Sequence, residues 1–305
     1  MRNFETTLGL LDSFSPEQGT TIISPPEKGK GFWSGGSYTM ISKEGEVYLY
    51  YRVRRPRSAP YGENRGYRCF IARSVDGISF KTIWSADKKA FGARSTEKGC
   101  LVQRSDGKWL LYVSYDSEET ERWQIDVMEA ERPGSFDPAK RRIFLTCSDV
   151  GAHDVKDPHV FLYEGSYAIF ANDTFEVGPR EETLVALTED GVNVSEIQKK
   201  ILAPSTNRDA WDGYSARLTG ILPVTDGFLM FYDGQCFGGE VCEENCGICF
   251  SKNLLGPFRR ISNGKPFRMK VRYVQGVWLQ DSLILYYEFT QPCGGHALRM
   301  ARLDD

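Results

Sequence analysis

The chain has 305 residues, and its 15 Tyr, 18 Phe, 6 Trp and 30 Gly combine strand-forming aromatics with turn residues, which favours sheet over helix bundles. A formal charge of −3 gives no general field suited to a nucleic-acid backbone or an anionic membrane surface, and no apolar run approaches the ~20 residues that span a bilayer. The opening stretch MRNFETTLGLLDSF lacks the apolar centre of a secretory signal, so a cytoplasmic location is expected, with no nucleic-acid or membrane partner.

In chain order, residues 1–30 read as an arm that includes the candidate strand GTTIISP. A strand–turn–strand unit follows, SYTMISKEGEVYLYYRV, with a third strand in YRCFIARSVDGISF. The same unit recurs as GCLVQRSDGKWLLYVSY with WQIDVMEA, and as DPHVFLYEGSYAIFAND with TLVALTEDGVNV. It returns as SARLTGILPVTDGFLMFYDG with GICFSKNLLGPFRRIS, and finally as YVQGVWLQDSLILYYEF with HALRMARL. Equivalent points fall near Ser37, Gly99, Asp157, Ser215 and Tyr273, a period of roughly 60 residues that suits four-stranded propeller blades. The reading is therefore all-β: one five-bladed β-propeller over 1–305, with no helix required. The fifth copy runs out one strand short, and pairing the N-terminal strand into it closes the ring and removes an edge.

In such a ring the innermost strand of each blade lines a central funnel, so polar residues at the start of those strands converge. Three carboxylates are the candidate catalytic residues. Asp157 opens an apolar strand between Lys156 and Pro158, and the neighbouring Lys favours its ionised form. Asp212 lies in DAWDGYSARL beside Trp211 and Tyr214, and Glu97 precedes the inner strand of blade two. Glycoside cleavage needs two such groups across the scissile bond, and Asp157 with Asp212 meets that need from adjacent blades. Candidate substrate contacts are Trp33, Arg52, Lys156, His159, Trp211, Tyr214, Arg217, Asp233, Arg272, Glu288 and His296. The run Arg52, Arg54, Arg55, Arg57, Arg65 and Arg68 suits bidentate capture of a phosphate or a uronate, and equally a solvated loop.

Cys242, Cys246 and Cys249 have C-x3-C-x2-C spacing, with Cys236 close by. That spacing suits an iron–sulfur cluster, a structural zinc or a redox pair, but Cys249 falls inside the apparent strand GICFS, so the expectation is unligated thiols, with neither metal nor cofactor.

KDPHVF in blade three, the blade ends SVDGISF and SKNLLGPF, and YDG in blade four together resemble the five-bladed propeller glycoside hydrolases, the superfamily of families 32, 43, 62, 68 and 130. The resemblance implies a glycosidase acting on a furanoside or other small glycan, with Asp157 positioning substrate or tuning an acid. Two departures stand against a direct transfer. Those families place an Asp at the start of blade one, where this chain has FWSGGSY, and an acid Glu at the start of blade four, where it has DGYSARL. A phosphorylase of the family 130 kind, a non-catalytic carbohydrate-binding propeller and, from SVDGISF, a sialidase-like propeller remain open. The sequence leaves the sugar, the linkage and the oligomeric state undetermined.

Overall fold

The computed structural model describes residues 1–175, 180–236 and 245–304. A short strand, β1 (Thr20–Ile23), precedes five antiparallel modules. The first contains β2 (Trp33–Ile41), β3 (Val47–Arg55), β4 (Arg65–Ser74) and β5 (Lys81–Asp87). The second contains β6 (Ala93–Gln103), β7 (Trp109–Ser117), β8 (Trp123–Ala130) and β9 (Arg142–Leu145). The third contains β10 (Asp154–Tyr163), β11 (Ser166–Thr174), β12 (Glu181–Thr188) and β13 (Glu196–Leu202). The fourth contains β14 (Ser215–Val224), β15 (Gly227–Gln235), β16 (Asn245–Ser251) and two short outer pieces, β17 (Arg259–Arg260) and β18 (Arg268–Met269). The fifth contains β19 (Val271–Leu279), β20 (Ser282–Thr290) and β21 (His296–Leu303). On its outer side β1 pairs antiparallel with β21, Thr20 opposite Met300.

The inner strands β2, β6, β10, β14 and β19 pack each against the next, and β19 packs back against β2, so the chain is a five-bladed β-propeller. The alternation read from the sequence has a physical source: each blade is covered on both faces by its neighbours, so its middle strands are buried throughout. β7 is buried at every position. Tyr and Leu side chains fill the wedges between blades, as Tyr50, Tyr112 and Leu111 do among the first three.

One expectation fails at the N-terminus. Residues 4–12 form a helix, α1 (Phe4–Asp12), capped by the Asn3 side chain on Thr6 N–H. Phe4, Leu10 and Leu11 lie on its buried side and pack with Leu229 and Leu285 of the last two blades. With the partly buried Leu8, the series Phe4, Leu8 and Leu11 has the 3–4-residue spacing of a helix in an arm read only as a strand donor.

A β-bulge recurs at the same depth in all five inner strands. In four of them two residues oppose one: Gly36-Ser37, Glu97-Lys98, Asp157-Pro158 and Tyr273-Val274. Gly36, Asp157 and Tyr273 have φ of 58°, 60° and 50°. For the last two this left-handed backbone costs of order 1–2 kcal/mol each, and its concentration around one axis marks the place to look for function.

Side-chain amides stitch neighbouring blades together below the bulges. Gln275 of β19 accepts from Thr39 N–H at 2.7 Å and donates to Thr39 C=O at 2.6 Å, copying a ladder rung across the last seam. Asn172 of β11 does the same for Leu218 of β14, at 3.0 and 3.2 Å. Gln275→Ala leaves both Thr39 backbone groups without these partners in a buried seam and is expected to cost about 2–4 kcal/mol. Urea denaturation followed by tryptophan fluorescence measures it, and a loss below about 0.5 kcal/mol would show that the rung does not stabilise the ring.

Candidate active site

The bulges open onto a cavity of about 820 Å³ at the funnel mouth. Its described lining contains Trp33, Trp123 and Tyr273, together with Lys30, Arg54, Arg57, Arg65, Lys156, Arg217 and Arg272. One carboxylate, Glu97, and one imidazole, His296, complete the ionisable groups of that lining.

Glu97 reaches the cavity because it occupies the bulge of β6, whose backbone is fixed by the Tyr50 hydroxyl donating to Glu97 C=O at 2.9 Å. Its carboxylate takes an ion pair from the fully buried Arg52 at 2.6 Å. Glu97 Oε1 lies 3.1 Å from where a Cβ on Gly36 would stand. On the other side of the same peptide, Glu288 Oε2 accepts from Gly36 N–H at 3.3 Å, and a Cβ on Gly35 would fall 1.6 Å from that oxygen. The Gly35-Gly36 pair is therefore the space that two carboxylates from blades two and five need.

Glu288 is fully buried in β20. It meets His296 Nδ1 at 2.7 Å and Arg272 at 3.6 Å. Burial alone would raise its pKa, but Arg272, His296 and Arg52 outweigh that and hold it at about 2. An ionised Glu288 fixes the tautomer with the proton on Nδ1 and leaves His296 Nε2 for other partners, Thr290 Oγ1 lying 3.5 Å away. The imidazole also stacks on Trp33 at 4.4 Å between centroids.

Asp157 is 1% exposed and lies behind the lining, with the Tyr273 hydroxyl 3.4 Å from both its oxygens. Burial raises its pKa, Lys156 and Arg217 oppose that, and Glu97 adds to the rise. Arg217 bridges Asp157 at 3.8 Å, Glu181 at 3.3 Å and Asp233 at 3.6 Å. Lys156 pairs with Glu181 at 2.9 Å. Below them Lys98 Nζ crosses the channel to Thr219 C=O at 2.8 Å, and burial brings its pKa down to about 8.

The sequence-predicted set thus divides. Glu97, Trp33, Lys156, Arg217, Arg272 and His296 line the cavity, while Arg52, Asp157, Asp233 and Glu288 stand directly behind it as counter-charges. Asp212 is corrected: its carboxylate accepts from the Tyr232 hydroxyl at 2.9 Å and pairs with Arg260 of the outer strand β17 at 2.8 Å, so it braces the rim of blade four. Trp211 stacks on Tyr232 in that brace, and neither it nor Tyr214 is in the lining. His159 is corrected as well. It is buried edge-on against Tyr38 beneath the funnel, and desolvation keeps it neutral. Of the basic run, Arg68 pairs with Asp87 and Arg55 with Glu27 and Glu63, away from the cavity. Sequence reasoning missed Glu181, which opens β12 and carries no motif. Cys242 lies outside the described residues. Burial raises the thiol pKa of Cys246, and that of Cys249 to about 12.

No family model matches the chain, and no curated protein does. Solved structures do match: several of the structural neighbours are family 43 glycoside hydrolases, and this chain has their five-bladed propeller fold. A thermostable family-43 glycoside hydrolase is 14% identical, with 94% of this chain and 93% of that one covered, at a TM-score of 0.68. The GH43_1 enzyme from Xanthomonas citri complexed with xylotriose is 14% identical over 98% and 93%, at 0.66. BT0996, in an RGII complex, is 11% identical over 99% and 95%, at 0.76.

The depressed pKa of Glu288 sets a pH dependence. A carboxyl whose folded pKa of about 2 lies below its ordinary 4.5 adds stability that is fully present above pH 4.5. That stability is lost as pH falls toward 2. Wild type is expected to lose about 3 kcal/mol more than Glu288→Gln across that window. Chemical denaturation at successive pH values checks this, and parallel curves for the two proteins would contradict the assignment.

Proposed function

We propose that this chain is a glycoside hydrolase whose reacting sugar occupies the funnel cavity. The observation that carries the reading is that Glu97 and His296 are the carboxylate and imidazole of the described lining, each backed by a buried counter-charge, Arg52 for the first and Glu288 for the second. A proton acceptor and a proton donor facing one sugar-sized cavity can serve glycosidic cleavage by general acid–base catalysis, with the imidazole in the place of the second carboxyl group.

In this reading Arg52 balances Glu97 as a carboxylate, which takes a proton from the water attacking the anomeric carbon. Glu288 balances the charge of a proton on His296 Nε2, which passes to the glycosidic oxygen as the bond to the leaving sugar breaks. Water's hydroxyl stays on the anomeric carbon, its proton ends on Glu97, and exchange with solvent resets both groups. Asp157 is a positioning residue that acts through Tyr273 and Arg217. The propeller fold shared with family 43 enzymes, one of them complexed with xylotriose, supports a carbohydrate as the ligand.

A second reading, a non-catalytic carbohydrate-binding propeller, is favoured by Glu97 standing as the one carboxylate of the described lining. Turnover separates the two. Against a panel of aryl glycosides and natural oligosaccharides, wild type is expected to release reducing sugar. Glu97→Gln and His296→Asn are each expected to lower kcat by about 10²–10⁴ with an unchanged far-ultraviolet spectrum. A folded wild type that binds a glycan and cleaves none would leave only the second reading.

A further inference from the structure

The cationic wall of the cavity is unevenly compensated. Arg65 is balanced by Asp116 at 2.7 Å, Lys156 by Glu181, Arg272 by Glu288, and Arg52 by Glu97. Arg54 makes no ion pair with any described carboxylate. It lines the cavity with its guanidinium 4.3 Å from the centre of the Trp33 ring, and its buried Nε has no acceptor among the described atoms. Both Nη atoms of the neighbouring Arg52 are likewise buried without an acceptor among the described atoms. Arg52 and Arg272 approach the same indole at 5.5 and 5.4 Å, so three guanidiniums converge on one ring, with Arg57 and Lys30 exposed beside them at the mouth.

Burial first, then repulsion from Arg52, Arg272 and Arg57, brings the Arg54 pKa down to about 10, and Glu97 only partly offsets this. A guanidinium in that position is costly to the empty protein and is relieved by an oxyanion. Its plane is held in advance by the Trp33 face, which lowers the ordering cost of a bidentate contact.

We propose that the cavity takes an acidic sugar, with the carboxylate of a uronosyl residue seated on Arg54 and flanked by Arg57 and Lys30. The substrate class rests on the hydrolase reading above, but the binding site does not. Trp33 packs against both Arg54 and His296. The acid-binding group and the proton-transfer imidazole are therefore fixed to one rigid side chain, which places the uronosyl ring beside the bond to be cleaved. A free phosphate offers the same oxyanion chemistry without a sugar attached, so the test includes it.

Isothermal titration calorimetry with a galacturonate disaccharide, the matching galactose disaccharide and inorganic phosphate distinguishes the sources. The acidic disaccharide is expected to bind about tenfold or more tighter than the neutral one, with the advantage shrinking at high salt. Arg54→Gln is expected to bring the acidic ligand down to the neutral ligand's affinity, and Arg57→Gln, at an exposed position, to remove part of the preference. Because the change relieves repulsion, Arg54→Gln is expected to melt no lower than wild type, which shows that it folds. Equal affinity for the two disaccharides, an undiminished preference in Arg54→Gln, or binding of phosphate but neither sugar would each overturn the proposal. Acid-selective binding without cleavage sustains this site and overturns only the hydrolase reading, whereas cleavage of neutral glycans with no acid preference does the reverse.

Discussion

Arg217 is a guanidinium with almost no exposure, and a buried charge of that kind persists only if opposite charges are brought to it. It meets Asp157 from β10, Glu181 from β12 and Asp233 from β15, so blades three and four cannot shift relative to each other without stranding it. Asp233 also accepts from Tyr273 N–H at 3.3 Å, which extends the hold to the bulge of blade five. The hub of the ring is thus ionic where the wedges between blades are apolar. That arrangement explains why so many of its carboxylates are committed to arginine and so few face the cavity.

What the sequence revealed was what repeats. Strand–turn–strand units near 60 residues apart are visible because each blade buries both faces of its middle strands, and KDP drew the eye to Asp157 because proline is tolerated at so few places in a strand. The site was legible only in part. Glu97, read from its place before the inner strand of blade two, and His296, read as near the funnel rim, both line the cavity, but Glu288 filling the space over Gly35 is a contact across 253 positions that no local pattern encodes. Asp212 misled for a related reason: an Asp-Gly turn beside aromatics looks like a sugar platform until Arg260, from an outer strand, claims its carboxylate. The bulges, which aim Glu97 into the funnel and hold Asp157 behind it, leave no compositional trace beyond one glycine.

Two consequences follow for function. The absence of side chains at Gly35 and Gly36 leaves room for acids from blades two and five, so both carboxylates next to that pair are supplied by neighbouring blades. Three guanidiniums crowd around Trp33, and the protein tolerates one of them poorly compensated. Binding sites are commonly less stable than their surroundings for this reason: the group that a ligand needs is the group that the empty fold would rather not bury.

The dependence of the ring on its ionic hub is most directly measured in Arg217→Met, which keeps the length of the side chain and removes its charge. With three buried carboxylates deprived of their shared partner, the variant is expected to lose about 3–5 kcal/mol at pH 7. It should recover part of that at pH 5, because carboxyls whose folded pKa has risen above the unfolded value are stabilised by protonation. A variant as stable as wild type at pH 7, with the same pH dependence, would contradict the account.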